Sequence, residues 1–359
     1  MKSVPVFLLP DIGKTSTSVD ELLKRHELYL SHYFHGRPDI DEKAFVFISG
    51  TNKPVAGPNN YLTPIVISKN SIPSLLFMLR VHQYLKNENV KPAFVVAGTP
   101  FSPYQIALLL KVLQRKLKIQ VAVHGEFSSY KTADLSGALK SIFLFTTLRF
   151  ANAVRFVSKQ QSEGFSRLIS KKRQQIFITP VPTSVPDVQL EKKPQSIGFV
   201  GRLHEERGVI RWGKIASKLT DVEKVVVGTG PLFEKFSKEY PDFKCLGQLS
   251  ADRMEEAWIK IGVLLSTAPH ESYGLAMREA LLRNIPVVST KNAGSLQLEG
   301  RFPNIFKTFD SNEEAMMLIK EFISQPPDQK YFSAFSDWFE KEQDKSLAIL
   351  ADVWRNLSS

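Results

Sequence analysis

GVLLSTAPHESYGLAMREALLRNIPVVST, residues 262 to 290, holds a complete structural unit. GVLLST and IPVVST are short β-branched runs that read as strands, and GLAMREALLRN between them has helical character. Two strands joined through a helix pair in parallel, so the stretch predicts an α/β fold. The loop APHESYG puts Glu271 ahead of the helix, Gly274 near its start and Glu279 within its first turns. Carboxylates in such apolar company need partners. The N–H groups around Tyr273, Gly274 and Leu275 have no carbonyl one turn back, and they suit an anion. Glu279 can accept two hydroxyl hydrogen bonds of the kind a ribose offers, and Glu271 can hold a sugar hydroxyl. The plainer alternative is a solvated Glu271 and a Glu279 paired with Arg283.

The same alternation extends in both directions. Upstream, SIGFVGRL (196–203) and EKVVVGTG (223–230) read as strands, and the first half adds VPVFLL (4–9), AFVFIS (44–49), PIVIS (64–68), AFVVAG (93–98), QVAVHG (120–125) and VRFVS (154–158). Helical patterns such as DELLKRHELYLSHYF, SLLFMLRVHQYLKN, PYQIALLLKVLQRKLK and SGALKSIFLFTTLRFAN lie between strands of the first half. PVPTSVPDVQLEKKPQ (180–195), with four prolines, has a linker's composition. The expected architecture is two Rossmann-like α/β domains facing each other across a cleft. Residues 1–185 form the first domain and 186–330 the second, and a C-terminal helix over 331–359 packs back toward the first; the resemblance given below implies that the first takes the acceptor and the second the nucleotide sugar.

Composition narrows the class. With 43% hydrophobic and 23% charged residues the chain is globular, and the single cysteine, Cys245, rules out an internal disulfide and a thiolate metal cluster. A reducing, cytoplasmic setting is expected. The N-terminal apolar run is short for a signal segment and is taken as the first strand, and SIFLFTTLRFANAVRF is broken by Arg149 and Arg155, so no transmembrane span is expected. The net charge of +11 is unevenly placed. Residues 1–185 carry 24 Lys and Arg against 11 Asp and Glu, whereas 186–359 carry 23 against 25. A basic first half points to an anionic partner, whether membrane headgroups, a phosphorylated acceptor, an acidic glycan or nucleic acid; the plainer alternative is a solvated basic surface with no specific partner. The helix PYQIALLLKVLQRKLK, with Lys111, Arg115, Lys116 and Lys118 beside an apolar stripe, is one surface for such contact. No nucleic-acid-binding signature is present, so no nucleic-acid partner is expected.

Two further turns in the second half carry chemistry. In FVGRLHEERG (199–208) a strand runs into Gly201 and presents Arg202 and Arg207, two guanidiniums suited to a diphosphate. Read alone, Arg202 is as well explained by a surface pair with Glu205 or Glu206. In VVVGTGPLFEKF (225–236) Gly228 and Gly230 form a tight turn whose N–H groups suit a phosphate or sugar hydroxyl. The full G-x-G-x-x-G spacing is absent, which counts against a dinucleotide. His124 closes the QVAVHG strand, and no histidine or carboxylate cluster at metal-ligand spacing accompanies it.

Taken in order, GRL-x-x-x-Arg-Gly, VVGTGP and HESYGLAMREALLRNIPVVST resemble the nucleotide-binding domain of glycosyltransferase family 4, retaining enzymes of GT-B fold. The resemblance covers about residues 196–300. It implies that Arg202 and Arg207 contact the donor diphosphate, Glu279 the ribose and Glu271 the transferred sugar. VAVHGE resembles a segment of the same family and sets His124 beside the sugar, across the cleft from Glu271. The chain departs from the family pattern at Arg207, where Lys is usual, at Thr267 and Ala268 in place of Pro-Ser, and at Asn284 and Ile285 ahead of Pro286. Gln297 stands near the family's usual acid. The resemblance implies transfer of a sugar from a nucleoside diphosphate to a hydroxyl of a glycan or glycolipid, with no cofactor or metal. A non-catalytic nucleotide-sugar-binding subunit and a nucleotide-sugar epimerase stay open beside it.

Overall fold

The computed structural model describes residues 2–10, 19–36, 43–51, 55, 60–124, 142–144, 148–170, 172–183, 195–250 and 253–359. The chain divides into two compact units. Met1–Pro180 with Gln343–Ser359 forms the first, and Val181–Glu342 the second.

Unit 1 is built on seven strands: β1 (Lys2–Leu9), β2 (Ala44–Ser49), β3 (Leu62–Ser68), β4 (Val90–Ala97), β5 (Ile119–Val123), β6 (Ala153–Phe156) and β7 (Gln175–Ile178). They form one sheet in the order β3-β2-β1-β4-β5-β6-β7. Every pairing in it is parallel. The pleat sends alternate residues to opposite faces: Val4, Val6 and Leu8 enter one core, with Phe77, Tyr104 and Leu110, and Phe7 enters the other, with Leu30 and Tyr33. Both faces are covered, which is why β1, β4 and β5 read as nearly unbroken apolar runs.

Unit 2 repeats the plan with β8 (Ser196–Val200), β9 (Glu223–Val227), β10 (Lys244–Gly247), β11 (Val263–Ser266), β12 (Val287–Thr290) and β13 (Phe306–Phe309). The order is β10-β9-β8-β11-β12-β13, again all parallel. One core holds Ile197, Phe199, Trp212 and Leu265, and the other holds Leu264, Leu281, Val287 and Phe335.

The unit boundary at Pro180 falls five residues before the expected 185. Its cause is Arg155, whose buried guanidinium donates from Nε to the Thr179 carbonyl and from Nη2 to the Pro180 carbonyl, each at 2.8 Å, tying both residues to unit 1. The predicted linker over 184–194 lies outside the described residues. At the other end, the helix Gln329–Ser358 begins just short of the expected 331. It gives Phe332, Phe335 and Phe339 to a core of unit 2 and Leu347, Leu350, Ala351 and Trp354 to a core of unit 1. No helix among the described residues is long and apolar enough to cross a membrane.

Candidate active site

In an open parallel sheet the crevice lies beyond the carboxyl ends of the strands, where the strand order reverses. In unit 2 that point falls between β8 and β11. The loop leaving β8 carries Arg202 and Arg207, and the loop leaving β11 carries Glu271, so the topology brings three predicted residues to one crevice.

The two loops are joined through backbone. Gly208 ends a 3-10 turn at Glu205–Arg207 and opens the helix Val209–Ala216, with φ at 67° in the left-handed region. A Cβ there would lie 2.1 Å from the Thr267 carbonyl oxygen, so only glycine lets the β8 loop rest against the end of β11. Thr267 Oγ1 closes the contact by donating to the Gly208 carbonyl at 2.9 Å. Arg207 Nη1 is thereby brought onto Glu271 Oε2 as an ion pair, both side chains partly shielded from solvent. Arg202 instead reaches Glu206 at 3.3 Å on the exposed surface, the pairing that its spacing alone allowed.

The Gly228 and Gly230 turn packs closely against its neighbouring loops. Gly228 donates its N–H to the Gly247 carbonyl at 2.8 Å and Gly201 donates its own to Val227 at 3.0 Å, so neither N–H is left for a ligand. A Cβ on Gly228 would stand 1.9 Å from the Gly201 carbonyl oxygen, and one on Gly230 would stand 2.5 Å from that of Leu203. These glycines let two loops lie edge to edge, and Leu203 N to Thr229 O at 3.0 Å and Leu232 N to Leu203 O at 3.1 Å hold them together. They thereby shape the crevice wall.

The helix Leu275–Leu282 starts at Gly274, whose φ of 76° is left-handed, and no side chain caps it. The N–H groups of its first turn therefore remain donors without an intrahelical acceptor. Their positive end of the helix dipole lies beside the Glu271 loop. Glu279 sits one turn in and is half-buried. Thr183 Oγ1 donates to its carboxylate at 3.3 Å. Arg283 does not pair with that carboxylate: its Nε donates to Glu255 at 3.0 and 3.1 Å, and its Nη1 reaches only the Glu279 carbonyl, at 3.0 Å.

Beneath this loop lies a residue that sequence reasoning missed. Arg278 is fully buried, and its guanidinium carbon lies 3.7 Å over the Tyr273 ring. Nη1 donates to the Tyr273 carbonyl and Nη2 to Gln297 Oε1, the latter at 2.8 Å. Burial lowers the Arg278 pKa, with the Tyr273 phenol and Glu271 opposing it, while burial raises that of Tyr273. A second support comes from Asn292, which caps the helix Ala293–Glu299 and donates to the Ala268 carbonyl at 3.0 Å, and Gly294 N–H donates to the Glu271 carbonyl at 2.7 Å. The signal for Arg278 was a cation on the apolar face of a helix, between Met277 and Leu281.

In unit 1, His124 follows β5 directly. Protein packed around the imidazole, and then the charges of Arg155 and Arg25, lower its pKa to about 4 against a hydrogen bond at the Gly98 backbone. At neutral pH the ring is therefore uncharged. Gly125 and Glu126, and the polar loop after them, lie outside the described residues. Among the described residues no three His, Cys, Asp or Glu gather where a metal ion could be held.

No family model matches the chain. Over 102 residues it is 26% identical to a GDP-mannose-dependent alpha-mannosyltransferase of Corynebacterium glutamicum, covering 28% of this chain and 24% of that protein. Its identity to a GDP-mannose-dependent alpha-mannosyltransferase of Mycolicibacterium smegmatis is 28% over 102 residues, 28% of this chain and 27% of that one. The match thus spans about a quarter of the length of these curated relatives. Among solved structures, Anabaena HepE in complex with UDP and glucose aligns over 99% of both chains with a TM-score of 0.68 at 15% identity. Sucrose-phosphate synthase from Thermosynechococcus elongatus aligns over 100% of this chain and 96% of its own, with a TM-score of 0.71 at 14% identity. The fold is that of the GT-B glycosyltransferases. The likeness to glycosyltransferase family 4 read from the sequence agrees with the mannosyltransferases and GT-B enzymes found here.

Proposed function

We propose that the chain is a metal-independent glycosyltransferase that moves a sugar from a nucleoside diphosphate to an acceptor hydroxyl with retention of configuration. The observation that carries the reading is the Arg207–Glu271 pair beside the uncapped start of the helix Leu275–Leu282, at the strand-order reversal of unit 2. A diphosphate needs cations and unpaired N–H donors, and this crevice offers both. The mannosyltransferase relatives and the HepE complex with UDP and glucose support a nucleotide sugar as donor.

In this reading Arg202, Arg207 and the helix start stabilise the charge that grows on the leaving diphosphate. Glu279 holds the ribose, and Glu271, with His124 as a neutral hydrogen-bonding group, orients the transferred sugar. Catalysis is positioning and electrostatics, with same-face attack by the acceptor and no residue assigned as a covalent nucleophile. The product belongs to glycan or glycolipid biosynthesis, at the cytoplasmic side of an anionic membrane that the basic first half would contact peripherally.

The deciding experiment is a thermal-shift screen over UDP, GDP, ADP and their sugars, because a ligand of the folded state raises its stability by RT ln(1 + [L]/Kd). Donor consumption then separates the classes. Consumption that needs an acceptor marks transfer, consumption without one marks epimerisation, and binding with no consumption marks a binding subunit.

A further inference from the structure

At the opposite edge of the unit 1 sheet from His124, the amino ends of β5, β6 and β7 come level, with Gln120 beside Ala153 and Ala153 beside Gln175. Between them and the end of the C-terminal helix is a concavity of about 330 Å³, lined by Lys118, Asn152, Lys172, Arg173, Gln175 and Asn356 among others. No carboxylate lines it. The side chains of Lys118, Lys172 and Arg173 make no hydrogen bond or ion pair among the described residues, so three like charges face one hollow without compensation. Like charges so placed repel, and a bound anion relieves the repulsion.

The hollow has a fixed floor. Gln174, buried at 6% exposure, donates from Nε2 to the carbonyls of Leu148 and Ala151 at 2.9 and 3.0 Å and accepts from Ser170 N at 2.8 Å. Asn152 Oδ1 accepts from Lys111 Nζ and from Ile119 N, both at 3.0 Å, which leaves its amide hydrogens as donors. Residues 89–125 hold five Lys and Arg and no Asp or Glu. Asp352, one turn before Asn356, is paired with Arg355 at 2.7 Å. The last helical carbonyls are met by the hydroxyls of Ser358 and Ser359, so the lysines are not there to cap them.

We propose that this hollow is a binding site for a phosphate group, with Lys118, Lys172 and Arg173 as its cations and the Asn152 amide as a further donor. A guanidinium fork together with two ammonium groups matches a tetrahedral dianion or a phosphodiester. The source is a lipid headgroup or a free phosphate. Val112, Leu113 and Phe150, exposed on the segments that Lys111 and Gln174 tie to the hollow, give a lipid surface apolar purchase. The headgroup source rests on the peripheral membrane contact of the proposed function, but the site requires nothing of the transfer reaction itself.

The test uses the full chain and the triple variant Lys118→Gln, Lys172→Gln, Arg173→Gln, with Lys235→Gln on unit 2 as a charge control. The probes are vesicles of phosphatidylcholine with and without phosphatidylglycerol, by co-sedimentation, and inorganic phosphate, by calorimetry. A headgroup site predicts binding to the phosphatidylglycerol vesicles that weakens roughly a hundredfold in the triple variant and stays unchanged in Lys235→Gln. A free-phosphate site predicts calorimetric binding lost in the triple variant, with no vesicle dependence. The proposal is overturned if the wild-type chain binds neither probe, if the triple variant binds as the wild type does, or if Lys235→Gln loses as much as the triple variant.

Discussion

Arg207 and Glu271 hold each other as an ion pair, and a diphosphate would have to compete for the same guanidinium. Glu271→Gln should therefore leave nucleoside diphosphate affinity unchanged or slightly tighter while turnover falls, since the lost carboxylate matters at the sugar and not at the phosphates. Glu279→Ala should act the other way, weakening the nucleoside diphosphate by on the order of 1.5–3 kcal/mol through loss of a charged acceptor. Calorimetry beside steady-state turnover separates the two, and equal affinity losses in both variants would undo the division of roles. His26 bears on stability instead. Burial, with Arg25 and Arg155, lowers its pKa from 6.5 to about 4, against a 2.6 Å bond to the Leu22 carbonyl. Above pH 6.5 both states hold it neutral and its contribution is complete. Below that the unfolded chain takes the proton first, so stability is lost as pH falls toward about 4. The loss is on the order of a few kcal/mol. His26→Phe should lose less stability than the wild type between pH 7 and pH 5 in urea titrations, and equal losses would show that His26 does not titrate as a buried group.

Elements differ in how much of themselves the sequence displays. The central strands β1, β4, β8 and β11 were legible because both of their faces are buried, which forces continuous apolar runs. Three edge or near-edge strands were not: β7 (QIFI), β10 (KCLG) and β13 (FKTF) are four residues each, and β10 has no fully buried position. The helix predicted to run through Lys118 stops at Leu113, after which Gln114 leaves the helical region at φ −127° and ψ 80°. In the site, Arg207, Glu271 and Glu279 stood out because they close strands or interrupt apolar helix, whereas Arg278 to Gln297 is a tertiary bond across 19 positions that no local pattern announces. The contact of Gly208 with Thr267, which no local pattern announces, locks the two site loops. Gly208→Ala should cost on the order of 2–3 kcal/mol and weaken nucleoside diphosphate binding by moving Arg207. Gly247→Ala is the control, since its φ of 68° is equally left-handed but a Cβ there meets nothing within 4 Å. If both variants lose stability and affinity equally, the cause is backbone strain and not the contact between loops.

At the scale of the whole chain, the same strand order appears in both units, but unit 1 is not a continuous piece of sequence. Its second core is completed by residues from the far end, above all Trp354, which has 1% exposure. That indole lies against Phe7, Tyr29, Tyr33 and Phe94, and its N–H donates to Gln120 on β5. The contact joins positions 234 apart in the chain. Such a long closure is paid in loop entropy before any burial rewards it, so unit 1 can be complete only once the last helix has formed. Trp354→Ala removes the indole and leaves Gln120, itself fully buried, without its donor, a loss of about 3–5 kcal/mol for the cavity alone. The two units need not share that loss. Because a chain of two units does not unfold as a single two-state system, the readout must resolve them. Hydrogen exchange followed by mass spectrometry does so: β1, β4 and β5 should lose protection in the variant while β8, β9 and β11 keep theirs. Trp354→Phe, which keeps an aromatic ring but not the N–H, should restore most of the protection in β1 and β4. If β8 to β11 open as readily as β1 to β5 in Trp354→Ala, the units unfold together and the last helix stabilises the chain as one body; if neither set changes, Trp354 is not a keystone of the unit 1 core.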